Sequence, residues 1–255
     1  METMFETKRL LVRKFREKDA RPLYENHMDD EVRKWFPNEC YADEAEALDA
    51  IRFYVDCVDN GHLPFVLAVE LKETGELIGD TGISEVDGHP EETEIGYCVG
   101  EKYRGKGYAS ELLDAISGFV FSRFGILKIY GRVVHGNGAS ARVLEKNGYR
   151  FVKEEFGAED DPYGKGMLVY LKEDWRLSGQ DRYLMDKELY FIPFAKYSDT
   201  WDHEHCAFCW ARFSDHEGDL HEGYCSEPSN TSDSHWICPE CYQDFKELFR
   251  WKLHK

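Results

Sequence analysis

Around Lys8 to Phe15 the apolar residues Leu10, Val12 and Phe15 alternate with basic ones, the period-two pattern of a half-buried strand. Asp19 then stands where a helix N-cap belongs, ahead of Leu23 and Tyr24. Over residues 42–56, Ala45, Leu48, Ile51 and Val55 recur at helical spacing among acidic side chains. Strands are expected at 65–70 and 77–84, joined by a hairpin turn that contains Thr74-Gly75, and a further strand at 93–99. A glycine-bearing loop leads into a strong helix that carries Leu112, Leu113, Ile116, Phe119, Val120 and Phe124 and stops at Gly125. After it come a β-rich run at 126–134, a short helix at 140–147 stopped by Gly148, and strands starting at Phe151 and Met167. The order β-α-α-β-β-β-α-β-α-β-β specifies a mixed α+β sheet rather than an alternating parallel one.

Near Trp175 the pattern changes. Residues 177–200 read as connecting sequence with a strand at 189–194, and from Trp201 onward the chain is rich in Cys, His and Trp. A length of 255 residues suits one sizeable domain with a smaller one attached, here 1–176 and 201–255. The formal net charge of −18 disfavours nucleic acid and anionic membranes as partners, since both require a basic face. No run approaches the ~18 apolar residues of a membrane helix. The opening METMFETKRLLVRKF has charges throughout and no apolar core, so it is not a signal peptide. The expected localisation is cytoplasmic, where thiols stay reduced. Monomer and dimer are both left open.

The global charge conceals a local reversal. From Glu101 to Lys153 there are 10 Lys and Arg against 4 Asp and Glu, and this stretch contains Arg104-Gly105-Lys106-Gly107-Tyr108-Ala109 between a strand and a helix. Glycines there let backbone N–H groups at a helix start approach an anion. A P-loop requires Ser or Thr after Lys106, where Gly107 stands, and a dinucleotide fingerprint requires an acid after the next strand, which ends instead at Val134-His135. The remaining phosphate-loop pattern, Arg/Gln-x-x-Gly-x-Gly/Ala, is that of acyltransferases holding the coenzyme A pyrophosphate; Arg104, Gly107 and Ala109 match it. A plain glycine turn before a helix is the competing reading of these six residues alone.

Four blocks, in order, carry a wider resemblance: Lys8-Arg9-Leu10-Leu11-Val12-Arg13, Glu94-Ile95-Gly96-Tyr97, the loop from Tyr103 to Ala109, and Asn137-x-x-Ser140 followed by Glu145-Lys146-Asn147-Gly148-Tyr149. Over about residues 8–172 the chain resembles the GNAT acetyltransferase superfamily, most closely the branch that acetylates ribosomal-protein N-termini. The resemblance implies a mixed, mostly antiparallel sheet flanked by helices, and a strand bearing Glu94 that splays from its neighbour to admit the pantetheine arm of acetyl-CoA. It implies backbone contacts to that arm near Cys98, Val99 and Gly100, a pyrophosphate cradle at Arg104, Gly105, Lys106, Gly107, Tyr108 and Ala109, and an amide donated by Asn137. The implied reaction is direct attack of a primary amine on the thioester, with Glu94 as the base that takes the ammonium proton. The general-acid tyrosine of many members is replaced here by Leu144, and Ser140, one turn earlier, is the candidate donor. Cys98 reads as a small strand residue rather than a nucleophile. Two acceptor classes compete: a protein N-terminal α-amine, and a small polycation such as an aminoglycoside or polyamine. The alternative class is a catalytically weak acetyl-CoA-binding regulatory protein, for which Leu144 is the support.

Cys206-Ala-Phe-Cys209 and Cys238-Pro-Glu-Cys241 form two Cys-x2-Cys pairs 28 residues apart. Two such turns complete tetrahedral thiolate ligation of structural Zn2+, in a treble-clef or ribbon-like module. An amphipathic helix at 242–252 is expected after the second pair. His203, His205, His221, His235 and Cys225 are spare candidate ligands, and Trp201, Trp210, Trp236 and Trp251 are expected to fill the small core. With 8 Lys and Arg against 15 Asp and Glu over residues 181–255, this module suits docking of a protein partner better than nucleic acid.

Overall fold

In the computed structural model of the chain, which describes residues 3–36, 39–157 and 166–254, the fold divides into two units, Met1–Glu173 and Asp174–Lys255. The first contains β1 (Thr3–Glu6), β2 (Leu10–Arg13), α1 (Ala20–His27), α2 (Asp30–Trp35), α3 (Glu44–Asn60), β3 (Phe65–Leu71), β4 (Leu77–Glu85), β5 (Glu92–Val99), α4 (Tyr108–Phe124), β6 (Lys128–Val134), α5 (Gly138–Lys146), β7 (Arg150–Glu155) and β8 (Met167–Glu173). Its eight strands form one sheet in the order β1-β2-β3-β4-β5-β6-β8-β7. Every pairing is antiparallel except β5 with β6.

Alternation along β3 shows how the sheet is sandwiched. Phe65, Leu67 and Val69 belong to clusters that include Leu112, Leu113, Ile116 and Val120 of α4. Val66 and Ala68 belong with Leu23 of α1 and with Ala47 and Ile51 of α3 on the other face. Asp43 caps α3 by accepting the Glu46 N–H at 2.9 Å, and Gly61 ends it at φ +72°.

Two local expectations change. The basic–apolar segment at residues 8–15 is preceded by β1, because Met4 and Phe5 pack against the core; the chain turns at Thr7, whose hydroxyl accepts the Leu10 N–H at 2.9 Å. Asp19 does not cap α1 with its side chain. Its carboxylate takes the buried Arg13 guanidinium at 2.6 and 3.0 Å and the Arg16 N–H at 2.7 Å, because an arginine in the core must bring its own counter-charge. The cap and acidic first turn of α2, Asp29-Asp30-Glu31, were legible but unread: Asp29 Oδ1 accepts the Glu31 and Val32 N–H groups at 3.0 Å.

The second unit contains α6 (Asp181–Leu184), β9 (Glu188–Pro193), β10 (His203–His205), β11 (Arg212–Ser214), β12 (Glu222–Cys225), β13 (Trp236–Ile237), α7 (Pro239–Phe245) and β14 (Lys252–Leu253). Residues 177–200 are thus not a free connector: β9 pairs with β12 on one side and β14 on the other. The helix expected over 242–252 ends early for the same reason. Arg250 turns the chain at φ +52°, the Trp251 indole donates to the Leu184 carbonyl at 2.8 Å, and the following residues become a strand. Trp236 and Trp251 are core residues, whereas Trp201 and Trp210 are exposed, contrary to expectation. Among the described residues no helix is long and apolar enough to cross a membrane.

Candidate active site

β5 pairs with β4 from Thr93 opposite Glu85 to Val99 opposite Gly79. On its other side it meets β6 only at Glu92, Thr93 and Glu94. β6 continues to Val134 against β8, so past Glu94 the two parallel strands part and their facing backbone edges are left open. Alternation puts Ile95 and Tyr97 of β5 with the cluster under α4 and α5, and Cys98 on the opposite face, its sulfur within 4.8 Å of donor atoms of His27 and Asp80. The gap therefore opens a way from one face of the sheet to the other.

A cavity of about 480 Å3 lies against the glycine loop, where Val99, Arg104, Gly105, Gly107, Tyr108 and Ala109 line it. A second, also about 480 Å3, is walled by Glu39, Tyr41, Asp80, Glu94 and Arg132. Trp35, Phe36, Tyr97, Asn137 and Ser140 border both. The two cavities meet at the strand gap.

Gly105 and Gly107 take φ +72° and +83°, values that only glycine adopts freely, and Gly107 caps α4. The first N–H groups of α4 have no acceptor within the helix. Arg104 is engaged within the protein: its guanidinium donates to Asp29 Oδ1 at 2.7 Å and to the Val99 carbonyl at 3.0 Å, so it fixes the loop to the start of α2. Lys106 does not line the cavity; its carbonyl accepts Arg9 Nη1 at 2.9 Å, and Arg9 lies 4.4 Å from the Tyr108 ring centre. Asn137 caps α5, its Oδ1 accepting the Ser140 N–H at 3.1 Å, and borders both cavities. In the stretch from Cys98 to Gly100, where the resemblance implies contacts to the arm, the Val99 carbonyl accepts from Arg104 and the Gly100 N–H donates to the Ile78 carbonyl.

Glu94 is half-buried at the mouth of the gap. Burial raises its pKa, the Arg132 guanidinium paired with it pulls the value back, and Glu155 adds a further rise; the net shift is upward. Arg132 is itself shared with Glu155 at 3.0 Å. The Cys98 thiol is pushed well up by burial and by Asp80, which leaves it neutral and unsuited to nucleophilic work. Leu144 is fully buried against Gly131, where an added methyl group would meet its Cδ2 at 2.7 Å.

Sequence reasoning missed His27 and Tyr97. The His27 ring meets Asp80 Oδ2 at 2.9 Å through Nε2 and the Glu39 carbonyl at 2.7 Å through Nδ1, two acceptors that suit an imidazolium. Burial opposes that charge, but the Asp80 carboxylate and these hydrogen bonds outweigh it and lift the pKa to about 9. Because the folded value lies above the unfolded one near 6.5, this pairing stabilises the fold fully below about pH 6.5 and its contribution is lost as pH rises through about 9. Thermal midpoints measured between those limits should fall for the wild type and flatten in His27→Gln. Tyr97 donates or accepts at Ser140 Oγ across 3.0 Å, and burial pushes its phenol up to about 12.

In the second unit the sulfur atoms of Cys206, Cys209, Cys238 and Cys241 all lie within 4.8 Å of one another, and the Cys209–Cys238 pair is 3.5 Å apart. The Cys238 N–H donates to Cys206 Sγ at 3.3 Å and the Cys241 N–H to Cys238 Sγ at 3.4 Å, as thiolates in a knuckle require. His203, His205 and Cys225 are not among the side chains gathered there. Four sulfur donors at these separations fit a tetrahedral zinc ion.

Set beside known proteins, the first unit has the frame of an acyltransferase. The sequence profile of the acetyltransferase (GNAT) domain matches residues 9–150. An uncharacterized N-acetyltransferase, p20, of Bacillus licheniformis is 32% identical over 169 residues, covering 66% of this chain and 92% of that protein. Among solved structures, the ribosomal-protein-S5-alanine acetyltransferase of Vibrio fischeri shares the fold at a TM-score of 0.57 and 20% identity, over 66% of this chain and 95% of that one. A spermidine N-acetyltransferase of Vibrio cholerae, solved with CoA and spermine, does so at 0.55 and 18%, over 66% and 96%. The chain belongs to the GNAT acetyltransferase family and is an acyltransferase.

Proposed function

We propose that the first unit transfers an acetyl group from acetyl-CoA to a primary amine by direct attack on the thioester. The observation that carries this reading is the parting of β5 and β6 beyond Glu94, with a glycine-led helix start on one side and an acidic cavity on the other. The pyrophosphate would rest on the first N–H groups of α4 at Gly107, Tyr108 and Ala109, with Gly105 allowing the approach and Arg104 holding the loop in place. The arm would run along the edge that β5 leaves open beyond Glu94, toward Val99, whose carbonyl Arg104 holds, with the Asn137 amide as a donor. The thioester would then lie at the meeting of the two cavities, beside Ser140.

The acceptor enters as an ammonium, which the carboxylates Glu39, Asp80 and Glu94 favour over the two cations His27 and Arg132 that share the cavity, and Trp35, Tyr41 and Tyr54 give it aromatic walls suited to a cation. A protein N-terminal amine and a small polyamine both meet those terms, and members of this fold act on each. Glu94 then takes the proton that frees the nitrogen lone pair. In the second unit, Cys206, Cys209, Cys238 and Cys241 would hold one structural zinc ion.

Release of free thiol from acetyl-CoA, measured over N-terminal peptides and polyamines, tests the transferase reading. Turnover on at least one amine class is expected. Acetyl-CoA binding with no thiol release above the uncatalysed rate on any amine would refute it.

A further inference from the structure

Every acyl transfer of this kind must dispose of a thiolate, and the helix position at which the family resemblance expects a proton donor carries Leu144 here. Leu144 is fully buried and wedged against Gly131. One turn earlier on α5, Ser140 faces the junction of the two cavities, and its hydroxyl is 3.0 Å from the phenol oxygen of Tyr97. Tyr97 comes from β5, three residues beyond Glu94 and on the opposite face of the strand from Cys98. Glu94 borders only the acceptor cavity and the glycine loop only the other, whereas Tyr97 borders both. A group at that junction stands where the C–S bond must break.

We propose that Tyr97 donates the proton to the departing sulfur and that Ser140 resupplies it; this inference rests on the transferase reading above. The amine lone pair forms the C–N bond while the carbonyl π pair moves onto oxygen. On collapse the carbonyl re-forms, and the C–S bond breaks with its electron pair going to sulfur. Sulfur takes the phenolic hydrogen, the Tyr97 oxygen takes the Ser140 hydroxyl hydrogen, and Ser140 recovers one from solvent in the cavity it lines. Glu94, having passed the ammonium proton on to solvent, takes the proton that the acylated nitrogen loses. A phenol kept neutral at pH 7 is a donor in the correct state throughout.

The experiment is a double-mutant cycle of Tyr97→Phe and Ser140→Ala, read as kcat, the KM for acetyl-CoA and thermal midpoint. Tyr97→Phe should lower kcat by roughly 10²-fold or more while KM and midpoint stay near wild type. Ser140→Ala should cost less, and the double variant should be no slower than Tyr97→Phe alone, because the two act as one unit. A Tyr97→Phe enzyme within about threefold of wild type, or two losses that multiply, overturns the proposal and leaves the transferase reading standing. No thiol release by the wild type overturns both. Should Tyr97→Phe not fold, single-turnover proton inventories of wild type and Ser140→Ala decide. The relay gives a curved inventory that becomes linear in Ser140→Ala, and a linear wild-type inventory refutes it.

Discussion

Glu94→Gln should lower kcat at neutral pH by about 10²–10⁴-fold, the usual contribution of a positioned general base. Binding of acetyl-CoA should stay near wild type, because Glu94 borders the acceptor cavity and not the one beside the glycine loop. The pH dependence separates this role from a structural one. Burial raises Glu94 above its ordinary value and the paired Arg132 keeps that rise in check, so the group is a better proton acceptor than a free carboxylate. When it takes a proton, Arg132 retains Glu155 at 3.0 Å and is not left as a lone buried charge. An ammonium acceptor needs the base only while it is protonated. The deficit of the variant should therefore shrink as pH rises toward the acceptor's own pKa, since free amine then arrives without help. A loss that is uniform across pH, or less than about threefold at pH 7, would remove Glu94 from the chemistry.

Much of this frame was legible because its causes are local. The glycine loop was identified from residue types whose backbone freedom is a property of glycine itself, and Gly105 and Gly107 do occupy the left-handed region. Glu94 stood out because its block resembles one shared by the family, and it lies where β5 leaves β6. Tyr97, in the same block, went unassigned for a physical reason: period-two alternation places its partners on the other face of the strand, and only the divergence of β5 from β6 lets both faces reach one gap. His27 and Asp80 were beyond reach because 53 residues separate them and their pairing exists only in the folded sheet. Arg104 shows the limit of motif reading: the side chain stands in the expected place, yet Asp29, on an element that was not foreseen, claims its guanidinium. The end of α7 failed similarly, since apolar residues at helical spacing were drawn into a strand by a partner far upstream, β9.

Cys238→Ser should reduce bound zinc from about one ion per chain to near none and unfold the second unit at temperatures where the wild type is intact. The substitution is chosen because it separates two roles of one side chain. Cys238 is both a sulfur of the four-member group and the N-cap of α7, where its Sγ accepts the Cys241 N–H at 3.4 Å. Serine is among the best N-cap residues and Pro239 already favours the first helical position, so the helix start is preserved while the thiolate is lost. What remains is the metal's own contribution. Structural zinc supplies roughly 10–16 kcal/mol of apparent binding free energy in small modules, more than a unit of this size gains from its core, so its loss cannot be absorbed. Cys40→Ser, at a cysteine of the first unit, should leave the zinc content unchanged. Metal analysis and circular dichroism before and after chelation provide the two readouts. Native protein that contains no zinc, or a Cys238→Ser variant that retains a full complement, would remove the metal from the module and leave four thiols packed by burial alone.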